Sequence, residues 1–385
     1  MAGRKMSQIL GLDLIRCAAA VLVMFYHYCC YLPVWFWGYS REPFEPTISY
    51  RALQPYTWFG WVGVEIFFVI SGFVIAYSSR EATPKGFLKS RFLRLFPTLW
   101  ICSTISFVVV LLFGHVRTGF LISEWLHSLV LAPWTHYWVD GSYWTLPIEI
   151  SFYAIVFLLL ATGQYRHLGT AVSFVGLTSA AISIYQQAVV LGFLWHLPFA
   201  DKLVQIAANT FLAVTSLRYG LYFALGTGLW LFLFDRRSLL RAVMLGIFTL
   251  GAVAEMRWHT QEFTAMMQAH HADNAGRLSS ALPAVVWAVA LIAIIASVVA
   301  KAPIARLLGH TGARVTRKLG LATYPIYLLH QAIGQVAIER LHSHLPDIVS
   351  LVLVVSVITA FCLGALPRIE EPLQRKLRTL LEGFK

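Results

Sequence analysis

The stretch LDLIRCAAAVLVMFYHYCC, residues 12–30, combines the apolar length of a membrane-spanning helix with three ionisable side chains, Asp13, Arg16 and His27. About 20 apolar residues are needed to cross the hydrocarbon core of a bilayer as a helix. A charged side chain at the bilayer centre costs about 2.5–3.5 kcal/mol even on the insertion scales that give the lowest values. Because that cost needs a compensating role inside the protein, the three side chains are candidates for function.

Arg16 and His27 lie on one face of this predicted helix. Their separation of eleven positions returns to within about 20° of the starting direction and spans roughly 16 Å along the axis. Asp13 lies nearly one turn before Arg16, on the adjoining part of the same face. The small residues 18–20 between them leave room for a neighbouring helix or an extended ligand. This pattern suits a long anionic carrier such as an acyl-CoA, held by a cation at one end and reacting near an imidazole at the other.

A purely structural interpretation of the same residues is also open. Asp13 and Arg16 would then form an ion pair at the membrane boundary, and His27 would hydrogen-bond a neighbouring helix. Three ionisable groups on one membrane-buried face favour the functional interpretation.

The rest of the chain has the composition of an integral membrane protein. Its 385 residues are 58% hydrophobic and 12% charged, about half the charged fraction of a soluble domain. The net charge of +12 arises from Lys and Arg in short segments between apolar runs, which indicates membrane orientation rather than nucleic-acid binding. We expect a lipid bilayer around the protein and no nucleic-acid partner. The five cysteines lack metal or redox spacing, so we expect buried packing residues.

Ten apolar runs are long enough to cross the bilayer. They cover residues 10–32, 58–78, 95–114, 143–162, 169–195, 212–234, 242–257, 278–300, 319–340 and 348–366. A short additional helix fits within 195–218. Most of the 30 Lys and Arg residues lie in the connections on the side of the termini, so the positive-inside rule places both termini in the cytoplasm. We predict an all-α polytopic membrane helical bundle of about ten transmembrane helices, forming a single domain over residues 1–385.

Two predicted external segments, 33–57 and 115–142, are long and rich in Trp, Tyr, Phe and Pro. We expect them to lie in the membrane interface or to fold back over the bundle. Several histidines of the external connections have spacings that match no ligand motif, so we expect solvent-facing loop residues and no metal. These histidines are His115, His127, His136, His259, His270 and His271.

Two blocks in the first half of the chain place charge beside apolar surroundings. GVEIFFVISG, residues 63–72, carries Glu65 inside the apolar run. FLKSRFLRLFP, residues 87–97, carries Arg91 and Arg94 about one turn apart. Two guanidinium groups at this spacing are able to hold phosphates bidentately. Membrane orientation or contact with lipid headgroups is the alternative role for both arginines.

Three further blocks follow in the second half. YWTLPIEISFY, residues 143–153, places Glu149 within an aromatic and apolar run. GLATYPIYLLH, residues 320–330, ends on His330, and RIEEPLQRKLR, residues 368–378, follows the last apolar run.

Taken in order with the first helix, these blocks resemble the membrane-bound acyltransferase family 3 over nearly the whole chain. The resemblance implies a ten- or eleven-helix enzyme of the bacterial inner membrane that passes acyl groups, commonly acetyl from acetyl-CoA, to sugars or other hydroxylated acceptors at the outer face. It also implies that Arg16 and His27 are essential. The chain is similar to the stand-alone form, without the fused extracytoplasmic hydrolase-like domain of some relatives. Where relatives often have a second acid after Glu149, this chain has Ile150, so no role is carried over for that acid.

Acyl transfer from a thioester to an alcohol requires a base, a grip on the carrier and stabilisation of the oxyanion. We expect His27 to be the general base, because imidazole exchanges protons near neutral pH, or to be acylated itself. Arg16 is expected to position the acyl-CoA, with Arg91 and Arg94 at the cytoplasmic mouth. Asp13 is expected to orient Arg16.

The two membrane-embedded glutamates have several possible partners. Glu65 and Glu149 are expected to orient the imidazole, to bind acceptor hydroxyls or to pair with Arg218. We count Glu149 with the catalytic residues, and Glu65 with Trp144 and His330 as substrate-binding residues. His330 is also a second candidate acid or base.

The expected reaction partners follow from this interpretation. They are acetyl-CoA or another acyl-CoA as co-substrate and a saccharide or glycolipid acceptor, with no permanently bound cofactor. A monomer and a homodimer are both compatible with the sequence. The main alternative function is a multi-helix transporter or flippase of a saccharide or lipid-linked precursor, because buried charges in a helix bundle also describe carriers. We find no internal repeat, which favours the enzyme.

Overall fold

A computed structural model describes residues 9–31, 50, 52–114, 116–132, 137–194, 197–207, 215–269, 278–279 and 281–383. Within these ranges, thirteen helices have ten or more residues. They are α1 (Leu10–Tyr26), α2 (Val62–Ser79), α3 (Pro84–Phe113), α4 (Thr118–Val130), α5 (Thr145–Ala161), α6 (Leu168–Val190), α7 (Pro198–Ala207), α8 (Ser216–Phe234), α9 (Leu239–Ala269), α10 (Leu282–Val299), α11 (Lys301–His342), α12 (Asp347–Gly364) and α13 (Leu366–Gly383).

The predicted all-α membrane bundle is confirmed. Nine helical segments in the described ranges are long and apolar enough to cross a membrane. The ninth predicted span, 319–340, lies within α11 and falls outside that set. Its polar side chains include His330 and Gln331, which are 1% and 3% exposed. They face protein rather than lipid, so the helix lies inside the bundle without being uniformly apolar.

The second half of α11 packs against α1, α3 and α12. A kink at Gly309, with φ of 59°, separates this half from the first turns of the helix. The helices α1 and α11 run in the same direction, since Gly320 lies against Asp13, and Gly334 lies against Tyr28. A Cβ atom at Gly334 would lie 2.1 Å from the Tyr28 hydroxyl oxygen. Small residues therefore allow the close approach that brings the polar groups of the two helices together.

Glycines of the GVEIFFVISG block fix α2 at the centre of the bundle. A Cβ atom at Gly63 would lie 2.5 Å from the Ala19 carbonyl oxygen of α1. One at Gly72 would lie 2.3 Å from the Phe223 carbonyl oxygen of α8. Backbone-to-backbone approach of this kind is typical of membrane helix pairs. It holds Glu65, in the first turn of α2, between α1 and α8.

Several predicted boundaries shift. The basic block 87–97 is helical, because α3 begins at Pro84 behind an N-cap in which the Thr83 hydroxyl accepts from the Gly86 amide. The short helix expected within 195–218 is α7.

In the segment 115–142, α4 packs along α3, as expected for a segment that folds back on the bundle. Most of the segment 33–57 lies outside the described residues. Four of the five cysteines are buried and Cys17 is half-buried.

Candidate functional site

A cavity of about 800 Å³, here called the inner cavity, lies among α1, α2, α3, α5 and α11. Its wall includes Arg16, Arg91 and Arg94. Two helices that are distant in the sequence thus present cations to one space. Apolar side chains such as Phe67 and Phe68 line the same cavity. The combination fits a ligand with an anionic part and an uncharged arm.

Asp13 supports the first of these arginines. Its Oδ1 atom lies 3.4 Å from the Arg16 Nη1 atom, and the two side chains are 6% and 19% exposed. Gly320 packs directly on the Asp13 side chain. The carboxylate is therefore fixed by α11 and holds the guanidinium at the edge of the inner cavity.

Glu149 also faces the inner cavity. Its Oε1 atom accepts hydrogen bonds from the Ser71 hydroxyl at 2.9 Å and the Tyr153 hydroxyl at 2.5 Å. Arg218 instead forms ion pairs with Glu255 and Glu262, both at 3.7 Å. Among the alternatives for Glu149, pairing with Arg218 is therefore wrong, because the α9 carboxylates occupy that arginine.

A second cavity of about 1110 Å³, here called the outer cavity, lies among α1, α2, α8 and α9. His27, Glu65 and Trp144 line it, as do further aromatic residues. Glu65 is 2% exposed, and its Oε2 atom has no hydrogen-bond partner among the described residues. A buried acceptor without a partner carries a desolvation cost that a ligand hydroxyl would remove. Aromatic walls with a few polar groups are typical of a site for a hydroxylated ring.

His27 and His330 form a buried pair between α1 and α11. The His27 Nδ1 atom lies 2.8 Å from the His330 Nε2 atom. The His330 Nδ1 atom lies 2.7 Å from the Tyr327 carbonyl oxygen, which can only accept a hydrogen bond. For two neutral imidazoles, His330 must therefore carry its proton on Nδ1 and accept at Nε2, so His27 donates from Nδ1. This assignment leaves Nε2 of His27 as the unprotonated nitrogen, in a side chain that borders the outer cavity.

The two cavities adjoin. Val64 and Tyr327 line both, so these side chains form the partition between the inner and the outer space. The Tyr327 hydroxyl donates to the Ser142 carbonyl oxygen at 3.0 Å and accepts from the Thr145 hydroxyl at 3.1 Å. The partition is thus held by hydrogen bonds between α11 and the start of α5. A molecule filling the inner cavity would therefore contact two side chains that also line the cavity of His27.

Asp140 is a residue of this region that sequence reasoning missed. It is fully buried, and its Oδ1 atom accepts from the Ser142 amide at 2.9 Å and the Ser142 hydroxyl at 2.5 Å. Its Oδ2 atom accepts from the Ala332 amide at 2.8 Å. The Ser142 hydroxyl also contacts the Tyr327 carbonyl oxygen at 3.0 Å. Asp140 therefore fixes α11 around His330. The Asp-Gly-Ser sequence is a signal for such a turn.

His259 is not the solvent-facing loop residue that the spacing analysis predicts. The helix α9 continues to Ala269, beyond the predicted end at residue 257, because Phe263 and Met267 bury an apolar face there. His259 lines the outer cavity, and its ring centroid lies 4.2 Å from that of Trp61. Both residues are therefore additions to the candidate site. Among the other external histidines, His127 lies in α4, and the rest fall outside the described residues.

The residues predicted from the sequence thus separate into two groups. Those at the inner cavity are Arg16, Arg91, Arg94 and Glu149, with Asp13 behind Arg16. Those at the outer cavity are His27, Glu65 and Trp144. His330 lies behind His27 and is 1% exposed, which places it in support of the imidazole rather than at the cavity surface.

Comparison with known proteins identifies a family to which the chain is similar. The acyltransferase domain of acyltransferase family 3 matches residues 9–366 of the chain. The chain is 26% identical over 269 residues to Nodulation protein 10 of Rhizobium leguminosarum bv. viciae, covering 64% of the chain and 59% of that relative. It is also 26% identical over 190 residues to the O-acetyl transferase of Shigella phage Sf6, covering 45% of the chain and 50% of that relative.

The chain therefore spans between half and three fifths of the length of these two relatives. No solved structure matches it.

Proposed function

Because the chain belongs to acyltransferase family 3, we propose that it is a membrane O-acyltransferase of the bacterial inner membrane. It transfers an acyl group, acetyl from acetyl-CoA, to a hydroxyl of a cell-surface or exported saccharide or glycolipid. The observation that carries this proposal is the position of His27. Its imidazole borders the outer cavity, which shares the Val64 and Tyr327 side chains with the arginine-lined inner cavity.

The inner cavity is the donor site in this proposal. Acyl-CoA enters from the cytoplasmic face, where the positive-inside rule places the basic residues. Arg16, Arg91 and Arg94 neutralise its phosphate charge, and the apolar wall accommodates the pantetheine arm. The thioester then lies at the Tyr327 end of the cavity, closest to His27.

The outer cavity is the acceptor site. Its aromatic wall includes Trp61, Trp144 and Tyr219, which offer faces to a sugar ring. The unpartnered Oε2 atom of Glu65 accepts a hydrogen bond from a sugar hydroxyl, which offsets the cost of burying that carboxylate. Binding orients a second hydroxyl toward Nε2 of His27. The saccharide contacts and the catalytic base thus lie in one space.

The chemistry follows from the tautomers of the histidine pair. The reaction requires the Val64 and Tyr327 side chains to move apart, so that the thioester meets the acceptor hydroxyl. The His27 Nε2 atom then takes the proton of that hydroxyl as its oxygen attacks the thioester carbonyl carbon. The tetrahedral intermediate then collapses with cleavage of the C–S bond, and the imidazolium returns the proton to the leaving thiolate. The products are the acyl ester and free CoA. No net proton is gained or lost by the protein.

His330 acts as a positioning residue in this cycle. Its Nε2 atom accepts from His27 Nδ1 at 2.8 Å, which fixes the ring orientation and the reactive tautomer. This is the part that a buried carboxylate plays behind the histidine of a serine protease. A neutral imidazole avoids placing another negative charge inside the bundle.

Replacing His330 tests this role. His330→Leu removes the His330 side of the imidazole pair, so we expect kcat to fall about 100-fold with the KM for both substrates unchanged. His330→Gln keeps an acceptor for His27 and a donor for the Tyr327 carbonyl, so it should recover most of kcat. Steady-state kinetics across pH 5 to 9 measures both variants. Equal losses in the two variants, or a change confined to KM, would contradict the positioning role.

The proposed activity itself is tested with purified protein in lipid nanodiscs. Acetyl-CoA labelled in the acetyl group is incubated with lipid-linked and polymeric saccharide fractions, and CoA release is followed with a thiol reagent. We expect release of CoA together with label on saccharide. A transporter or flippase would leave acetyl-CoA intact, and that result would overturn the proposal.

A further inference from the structure

A third cavity lies beside the inner cavity, between α3, α11, α12 and α13. It is an open groove of about 2250 Å³, here called the basic groove. Its lining includes six cationic side chains, namely Lys89, Arg94, Arg317, Lys318, Arg368 and Arg378. Arg94 and Tyr324 line both this groove and the inner cavity. The two spaces therefore adjoin at these side chains.

The acidic residues of the groove are already occupied. Glu370 accepts from the Thr98 hydroxyl at 2.5 Å and from the Gln374 amide at 2.7 Å. Glu382 pairs with Lys89 at 3.0 Å. The remaining acid, Glu371, pairs with Arg375 at 3.3 Å.

The other five cations have no such partner. Within the described residues, no carboxylate lies within ion-pair distance of Arg94, Arg317, Lys318, Arg368 or Arg378. All five are exposed and converge from three helices on one groove. Orientation charges alone need only lie on the cytoplasmic side of the membrane. Convergence on one concave surface indicates an anionic ligand.

We propose that the basic groove binds the adenosine 3′-phosphate of acyl-CoA, while the diphosphate lies at Arg94 against the other arginines of the inner cavity and the pantetheine arm extends into that cavity. This inference rests on the proposed function and assigns the part of the donor site that the inner cavity leaves unfilled. The chemistry is a cluster of phosphate groups held by guanidinium forks. The helix α13 thereby becomes one wall of the donor site.

The continuity of the two spaces distinguishes this ligand from a lipid headgroup. An anionic lipid offers the same phosphate chemistry, but a lipid in the groove would have no reason to adjoin the inner cavity at Arg94. A coenzyme must extend from a polar head into that cavity. The shared residues Arg94 and Tyr324 lie at the position where its head and arm meet.

The test compares two donors that differ only in the nucleotide. Acetyl-CoA carries the nucleotide, and S-acetylpantetheine lacks it. In phosphatidylcholine nanodiscs, where no anionic headgroup competes, we expect the variant R317Q/R378Q to raise the KM for acetyl-CoA at least about tenfold. The KM for S-acetylpantetheine should stay unchanged. The matched control is R306Q/R314Q, because both of these arginines lie in α11 outside the groove lining, and it should change neither value.

A binding measurement completes the test. Adenosine 3′,5′-bisphosphate should bind the wild type and compete with acetyl-CoA, and R317Q/R378Q should weaken that binding by a similar factor. Equal KM changes for both donors, no change for either, or unaltered bisphosphate binding would overturn the groove assignment. If phosphatidylglycerol in the nanodisc displaces the bisphosphate while R317Q/R378Q leaves the KM for acetyl-CoA unchanged, the groove binds lipid instead. A wild type that uses neither donor would refute the proposed function, which is a separate outcome.

Discussion

Replacing His27 by alanine is expected to lower the transfer rate between about 100-fold and 10,000-fold, the range associated with a positioned general base. The loss should appear in kcat, because the donor contacts of the inner cavity and the acceptor contacts at Glu65 and Trp144 are retained. His27 is 9% exposed and lies at the transition from α1 into a short π-helical segment, His27–Tyr31. Truncating it opens space beside Nε2 of His330 without removing a helical hydrogen bond.

The space left by the missing imidazole allows a rescue experiment as a control. Added imidazole should enter the outer cavity of the His27→Ala protein and restore part of the rate. His342→Ala removes a histidine that is paired with Asp347 at 2.7 Å near the end of α11, away from both cavities, and it should leave kcat unchanged. A fully active, well-folded His27→Ala protein would exclude the imidazole as the base.

Replacing Arg16 by alanine is expected to impair both donor use and stability. Loss of a charge-assisted hydrogen bond to phosphate costs about 1.5–3 kcal/mol, which corresponds to a KM for acetyl-CoA raised about 10-fold to 150-fold. The buried Asp13 carboxylate also loses its ion pair with Arg16. Breaking a buried ion pair in this way costs about 3–5 kcal/mol, so the thermal transition of the detergent-solubilised protein should fall.

A double substitution separates the two effects. Asp13→Asn combined with Arg16→Gln replaces the ion pair 3.4 Å long by a neutral hydrogen-bonding pair, so thermal stability should return toward that of the wild type. The KM for acetyl-CoA should stay raised, because the guanidinium is absent. Recovery of both properties would show that Arg16 serves only to compensate Asp13.

The first helix shows which features of the site helical periodicity can predict from the sequence. The helical repeat alone places Asp13, Arg16 and His27 on one face, and the structure directs all three toward α11 or the cavities it borders. The inner cavity likewise gathers the arginines of the basic block, because α3 continues through that block as an unbroken helix. Within one helix, spacing determines direction, so these features were predictable.

Contacts between distant helices were not predictable in the same way. His27 and His330 are separated by 303 positions, and no local pattern indicates which of the other histidines packs against α1. The error at His259 has the opposite origin. Its surroundings in sequence are polar, yet α9 continues and buries one face against neighbouring helices, so tertiary packing overrides the hydropathy signal. That same extension brings Glu262 to Arg218, which also pairs with Glu255 inside the predicted span.

Sidedness of the two substrates tests the account most directly, because the donor is proposed to enter through the arginine-lined cavity and the acceptor through the opposite one. The experiment uses proteoliposomes in which all protein molecules have the same orientation. Labelled acetyl-CoA is supplied on the membrane side at which Arg91 and Arg94 lie, and the saccharide fraction is supplied on the opposite side. We predict label on saccharide and CoA release on the donor side, both lost with His27→Ala. Label transfer only when both substrates share one face, or passage of intact acetyl-CoA across the membrane, would contradict the account.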